Sequence, residues 1–299
     1  MDRLFQNLFQ LDAPDSIGSK IQLRLFELCT VYFTLSYTWE WAQYVPRLSD
    51  VVLPLGIANY MNVEIFFGEL ATVNAVLISL FCLIPFLFKK MRWLYAPAFL
   101  LFHLQHVVRF SQGEIPHSAN MIGFALMGLG LAEIFFRNDI QKSLSFAFGF
   151  TVFFFGLGYT SAALSKLVAT GITWPSGEHL WLWMGEKSID ILSKTGEFQF
   201  NWLQEMAFEY WWIATAILSF GLLTELSGFL LWWKPLRPYI TVLLIGMHLG
   251  IDWTMNIFFL TFTVQLIIIG FPWNKLINNI AAAESRSPIP KNISQYLLY

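Results

Sequence analysis

Long apolar stretches are the feature that most constrains how this chain can fold. A helix that crosses a ~30 Å hydrocarbon core needs about 20 mostly apolar residues. Such stretches occupy residues 25–45, 65–88, 93–110, 119–136, 144–168 and 210–233. A further stretch, 238–273, is too long for one crossing, and a break between Asp252 and Asn256 divides it into two helices. We therefore predict an all-α, polytopic membrane helix bundle with about eight transmembrane helices, with seven as the alternative.

Composition and charge support a membrane location. Hydrophobic residues make up 56% of the chain and charged residues 13%, whereas a soluble domain carries about 25% charged residues. The net charge of −2 argues against nucleic acid as a partner. Most of the 18 Lys and Arg residues fall on one side of the membrane if the N-terminus is inside. The positive-inside rule then places both termini in the cytoplasm.

The predicted organisation has three parts. Residues 1–20 form an N-terminal cytoplasmic or interfacial segment, residues 21–273 form the transmembrane domain, and residues 274–299 form a cytoplasmic tail that is loose from residue 281 onward. One long extracytoplasmic loop, residues 169–209, is rich in tryptophan and acidic residues. We interpret this loop either as a segment lying on the bilayer surface or as a lid over a site that opens outward.

Ionisable residues within the predicted spans mark the candidate site. A charge in hydrocarbon costs at least ~2.5–3.5 kcal/mol on insertion scales, so these residues are expected to face the bundle interior. The outer half of the bundle gathers Glu40, His106, Arg109, His117, Lys166, His248 and Asp252. Each belongs either to an interhelical pair, such as Arg109 with Glu40, or to a functional site. Glu27 and Glu133 lie near basic residues at the inner side, and for them structural pairing is favoured.

Lys166 is the most informative of these residues because it follows an apolar run and has no acidic neighbour in sequence. An amine held among apolar walls loses its proton more readily and can act as a base. The alternative is snorkelling, in which the ammonium reaches along the helix to the interface. His103 and His106 are three residues apart, but no carboxylate completes a zinc motif, so no metal is expected.

Several stretches resemble a known family. The run Tyr159-Thr-Ser-Ala-Ala-Leu-Ser-Lys-Leu167, with Trp174 after it, is similar to the membrane core of vitamin K-dependent γ-glutamyl carboxylase. That core is shared with bacterial proteins that carry the horizontally transferred transmembrane (HTTM) domain. The run 222–233, followed by His248, agrees with this resemblance, and the sequence around His117 is a weaker match. The resemblance covers roughly residues 19–273.

The resemblance implies a site and a chemistry. In the carboxylase, the lysine that matches Lys166 deprotonates vitamin K hydroquinone, and histidines match His117 and His248. The resemblance therefore implies lyase-type chemistry, a quinone or hydroquinone cofactor, and Lys166, His117 and His248 as catalytic residues on the extracytoplasmic side. The candidate substrate- or cofactor-binding residues are Tyr159, His106, Arg109, Trp174, Asp252 and Asn256.

Two departures from the family limit what the resemblance implies. The large lumenal region of the carboxylase has no counterpart after residue 273, and Ser165 stands where the carboxylase has a second lysine. The protein substrate of the carboxylase is therefore not carried over. We expect membrane lipid and a lipid-soluble small molecule or peptide as partners. Three functions stay open: an enzyme acting on a quinol or another lipid-soluble substrate, a non-catalytic transporter, partner subunit or toxin-immunity protein, and a structural bundle.

Overall fold

The computed structural model describes residues 2–44, 53, 55–66, 68–112 and 117–285. Within these residues the chain forms twelve α-helices joined by turns and short 3₁₀ segments, and no β-strand. The helices are α1 (Asp2–Phe9), α2 (Ile17–Tyr44), α3 (Glu69–Phe88), α4 (Tyr95–Ser111), α5 (His117–Phe136), α6 (Ile140–Thr170), α7 (Gly177–Thr195), α8 (Trp202–Glu209), α9 (Trp211–Leu226), α10 (Arg237–Met255), α11 (Leu260–Gly270) and α12 (Trp273–Ser285). The predicted all-α class is confirmed.

Helix length and hydropathy support fewer crossings than predicted. Four helical segments are long and apolar enough to cross a membrane: Leu70–Phe88, Ala119–Phe136, Ile140–Thr173 and Trp211–Trp232. The pair α11 and α12, bent by 59°, adds a fifth if it is counted as one span. The other predicted spans correspond to α2, α4 and α10, which carry ionisable residues or are short. The helical membrane character is therefore supported, and the number eight is not confirmed.

The outward face of α3 illustrates why the bundle suits lipid. Val73, Leu77 and Leu80 are exposed on this helix, while Ala75 and Ile78 between them are fully buried. Residues three and four apart lie on one face of a helix, so α3 presents an apolar stripe on its outside as well as an apolar face inside. A large exposed apolar surface of this kind is typical of contact with a membrane or a partner.

A buried charge network joins α2 to α4 and α5. The Arg92 guanidinium donates to Glu27 at 2.7 Å and to Glu133 at 3.0 Å. The Tyr95 hydroxyl also donates to Glu27, at 2.8 Å, and Arg24 forms an ion pair with the same carboxylate. Structural pairing of Glu27 and Glu133 is confirmed, although the partner that connects them, Arg92, was not predicted.

Asp12 fixes the N-terminal segment to two distant parts of the chain. Its carboxylate lies 2.9 Å from Lys234 Nζ, in the turn before α10, and 3.1 Å from Lys275 Nζ on α12. Hydrogen bonding from Lys234, together with that from Lys275, lowers the pKa of Asp12. Shortly after Asp12, the Ser16 hydroxyl accepts a hydrogen bond from the Ser19 backbone N–H and caps α2.

Two segments that were predicted as a long loop and a loose tail contain helices. The segment 169–209, which was predicted as an extracytoplasmic loop, contains α7 and α8, and residues 281–285 of the predicted loose tail belong to α12. The rest of that tail lies outside the described residues. α8 begins with a capping box, in which the Asn201 side chain accepts hydrogen bonds from two backbone N–H groups. Local capping therefore starts this helix without a strong apolar pattern.

Candidate functional site

Close packing of α6 against the end of α9 sets the geometry of the site. Gly156 on α6 faces the 3₁₀ segment Ser227–Trp232, which follows α9. A Cβ atom at Gly156 would lie 2.4 Å from Trp232 Nε1 and 3.1 Å from the Gly228 carbonyl oxygen. Glycine at this position therefore lets the two segments approach closely. This contact fixes the register in which the later turns of α6 pass α9.

Lys166 on α6 forms an ion pair with Glu225 on α9. Its Nζ donates to Glu225 Oε2 at 2.5 Å and lies 4.8 Å from the centre of the Trp174 ring. The two side chains are 30% and 13% exposed. The ammonium thus contacts a carboxylate and an aromatic face.

Glu225, the partner of Lys166, was not assigned to the candidate site by the sequence reasoning. Glu225 is 59 residues from Lys166 in the chain, so no local pattern joins them. A signal did exist, because each residue is an ionisable group within an apolar stretch and the two charges are opposite. Intramembrane charges of opposite sign tend to pair with one another.

The Lys166–Glu225 pair lines an apolar cavity of about 330 Å³. The walls come from the end of α6, the Trp174 turn, α7, α9 and α10. Its apolar lining includes Trp174, Leu180, Trp183, Leu218, Met247 and Ile251, and its other polar side chains are Glu186, Lys187 and Thr254. The volume lies near the lower end of the range for small-molecule sites, roughly 300–1,000 Å³.

Tyr159 on α6 and His248 on α10 form a second polar pair. The Tyr159 hydroxyl lies 2.6 Å from His248 Nε2, and the two residues are 8% and 6% exposed. The rings of Phe259 and Phe262 pack against the imidazole. The predicted catalytic His248 and the predicted binding residue Tyr159 therefore contact each other, but neither lines the cavity around Lys166.

His106 and Arg109 belong to a different group of side chains. The Arg109 guanidinium lies 5.6 Å from the centre of the Trp41 ring, and the His106 ring centre lies 6.0 Å from the same indole. His103 and His106 line a small cavity of about 190 Å³ between α4 and α5. The structure thus divides the predicted outer cluster, and these two predicted binding residues do not line the Lys166 cavity.

Asp252 and Asn256 mark the end of α10. Asn256 adopts a left-handed conformation with φ of 54°, and its backbone N–H donates to the Asp252 carbonyl at 2.8 Å. The predicted break in the stretch 238–273 is confirmed, since α10 ends at Met255 and α11 begins at Leu260. His117, the remaining predicted catalytic residue, begins α5, and its side chain lies outside the described residues.

The Lys166–Glu225 pair has a definite capacity for proton transfer. In the ionic form the carboxylate offers a lone pair, and in the neutral form the amine offers one. In either form the pair accepts a single proton and then consists of an ammonium beside an uncharged carboxyl group. Glu186 and Lys187, which also line the cavity, form a second and more exposed pair at 3.2 Å. An apolar cavity with polar groups of this kind suits a molecule that has an apolar body and a proton-donating polar end.

Among the described side chains, no three His, Cys, Asp or Glu residues lie close enough together to hold a metal ion.

Comparison of the chain with protein-family models, with curated proteins and with solved structures gives no match. The resemblance to the carboxylase core therefore stays a prediction that rests on the sequence motifs.

Proposed function

We propose that this chain is an integral membrane protein that binds a lipid-soluble molecule with an acidic hydroxyl group, a hydroquinone of the vitamin K type, and removes the proton from that hydroxyl. The observation that carries the proposal is the Lys166–Glu225 pair on the wall of an apolar cavity. The proton passes to the pair, and the Lys166 ammonium then lies beside the substrate oxyanion. A cation at hydrogen-bond distance stabilises such an anion most strongly where little water is present.

The remaining residues have supporting roles in this proposal. Trp174 covers the ammonium with its ring and limits the access of water. Tyr159 and His248 join α6 to α10 beside the cavity, so we assign them a positioning role in place of the predicted contact with substrate. Lys166 acts as the general base when Glu225 holds the proton of the resting pair, and otherwise Glu225 receives the substrate proton.

The proposal includes eight crossings, both termini in the cytoplasm and a cavity near the extracytoplasmic side. It is supported by the burial of ionisable residues on the less apolar helices: Glu27 on α2, Arg109 on α4 and His248 on α10 are at most 6% exposed. The charged and polar groups of these three residues therefore face protein. The native Cys29 and Cys82 are buried, which allows new surface cysteines to be used as topology probes.

The topology test uses a membrane-impermeant thiol reagent on intact cells. Asp190→Cys, on the exposed side of α7, should react from outside. Lys90→Cys, between α3 and α4, should react only after the membrane is opened. Labelling of Lys90→Cys in intact cells would contradict the proposed orientation.

The functional test measures binding of 1,4-naphthohydroquinone to the protein in lipid nanodiscs under argon. Trp174 and Trp183 line the cavity, so quenching of tryptophan fluorescence reports occupancy. Lys166→Ala should lower the affinity about tenfold or more, because losing a charge-assisted hydrogen bond costs roughly 1.5–3 kcal/mol. Lys194→Ala, which removes an exposed lysine at the end of α7, serves as the matched control and should bind like wild type. Equal affinities of wild type and Lys166→Ala for 1,4-naphthohydroquinone would contradict the proposal.

A further inference from the structure

Three glycines line the Lys166 cavity without any visible packing requirement. They are Gly221 on α9 and Gly246 and Gly250 on α10. A Cβ atom added at any of them would meet no other atom of the described chain within 4 Å. Alanine is the stronger helix former, so the protein's own stability would favour a side chain at these positions. Gly156 differs, since a Cβ there would collide with Trp232.

The positions of these glycines relate them to the ion pair. Gly246 and Gly250 are one helical turn apart, and Thr254, one turn further along α10, also lines the cavity. Gly221 precedes Glu225 by one turn of α9. Two helices therefore present bare backbone to the cavity, and one of these surfaces continues directly to the carboxylate that binds Lys166. Side chains at these glycines would project into the space that a ligand must fill.

We propose that Gly221, Gly246 and Gly250 determine the size of the ligand, which lies directly against the backbone of α9 and α10. This inference rests on the proposed function, because it concerns the same cavity. A wall without side chains accepts a flat, fused-ring body that a wall of alanine or leucine side chains would exclude. The polar end of such a ligand lies at Lys166 and Glu225, and its ring system lies along the glycines.

The test compares two probes that differ only in ring number, 1,4-naphthohydroquinone and 1,4-benzohydroquinone, in nanodiscs under argon. Gly246→Ala and Gly250→Ala should each weaken binding of the two-ring probe about tenfold, as overpacking of a filled site does. Binding of the one-ring probe should change less than about twofold. Both variants should unfold at the same or a higher temperature than wild type, because alanine stabilises a helix.

Gly185→Ala is the matched control. Gly185 lies on α7, its added Cβ also meets nothing within 4 Å, and it does not line the cavity. This variant should bind both probes like wild type. Undiminished binding of the two-ring probe by Gly246→Ala and Gly250→Ala would overturn the inference and leave the proposed function standing. Equal loss of both probes with a lower unfolding temperature would also overturn it, because the glycines would then be structural. If wild type binds neither probe, the proposed function fails and this inference fails with it.

Discussion

Removing either partner of the Lys166–Glu225 pair should shift the ionisation of a bound acidic hydroxyl in opposite directions. Glu225→Gln leaves the Lys166 ammonium without its carboxylate, so the oxyanion of the ligand becomes its partner and forms at lower pH. Lys166→Met leaves the carboxylate alone. Two like charges then oppose each other, and the ligand should ionise at higher pH than in the wild-type protein.

The geometry of the pair gives the size of the shift in Glu225→Gln, measured from the ionisation midpoint of the free ligand in water. At the 2.5 Å between Lys166 Nζ and Glu225 Oε2, opposite unit charges attract by ~1.7 kcal/mol at the dielectric constant of water and by ~7 kcal/mol at an effective value of 20. The lysine side chain is 30% exposed, which favours the lower part of this range, about 2–3 kcal/mol. Since ~1.4 kcal/mol corresponds to one pH unit, the oxyanion in Glu225→Gln should form about 1.5–2 pH units below its midpoint in water.

The assay uses 2-naphthol, a single-hydroxyl probe whose ionised form absorbs at longer wavelength. A pH titration of the bound probe in nanodiscs gives the ionisation midpoint for wild type, for both variants and for the control Lys194→Met, which should match wild type. A shift of both pair variants in the same direction would refute the reasoning. So would the absence of a measurable shift in either one, because the hydroxyl would then lie away from the pair.

Three further predictions concern stability, measured as the unfolding temperature in detergent. Arg92→Met leaves two buried carboxylates without their shared partner and should cost about 3–5 kcal/mol. The exposed Arg137→Met should change little, and equal unfolding temperatures of the two variants would contradict the network's role. Gly156→Ala should cost about 1–3 kcal/mol of stability through overpacking. Its control, Gly123→Ala, has room for a methyl group and should be neutral or stabilising. A lower unfolding temperature for Gly123→Ala than for Gly156→Ala would refute the packing account. Because its lysine contacts lower the folded-state pKa of Asp12, its contribution is complete above the unfolded-state value of about 3.9 and is lost as the pH falls through the folded-state pKa. The decrease in unfolding temperature in this acidic range should therefore be smaller in Asp12→Asn, and an unchanged decrease would show that other groups cause it.

The length of the apolar stretches in the sequence predicted the long helices well and the short helices poorly. The stretch 144–168 corresponds to α6, Ile140–Thr170, because a run of apolar residues this long has no other stable form in a membrane. α7 and α8 were assigned to a loop, since their apolar residues are mixed with charged ones. Their ends depend on local devices such as the Asn201 cap and the left-handed Gly196, which are weak signals in a single sequence.

The candidate site was predicted in part, for a similar physical reason. Lys166 and Trp174 lie close together in sequence, and both line the cavity. Glu225 was not assigned to them, because its contact depends on the register of α6 against α9, which a hydrophobic pattern does not specify. His106 and Arg109 were grouped with Lys166 by depth in the membrane alone. Depth does not determine which helices are neighbours, and these residues pack around Trp41 instead.

The Arg92 network has a consequence for the transporter alternative. Ser143, which donates to Glu133 in this network, is separated from Lys166 by 23 residues of α6, or roughly 35 Å along the helix axis. Alternating access requires a central cavity to open in turn toward each side of the membrane. Opening at the end that holds Arg92 would require the buried contacts of Arg92 with Glu27 and Glu133 to separate, and losing one partner of a buried ion pair costs about 3–5 kcal/mol. Helices held together in this way at one end favour a cavity that a ligand enters and leaves at the other end.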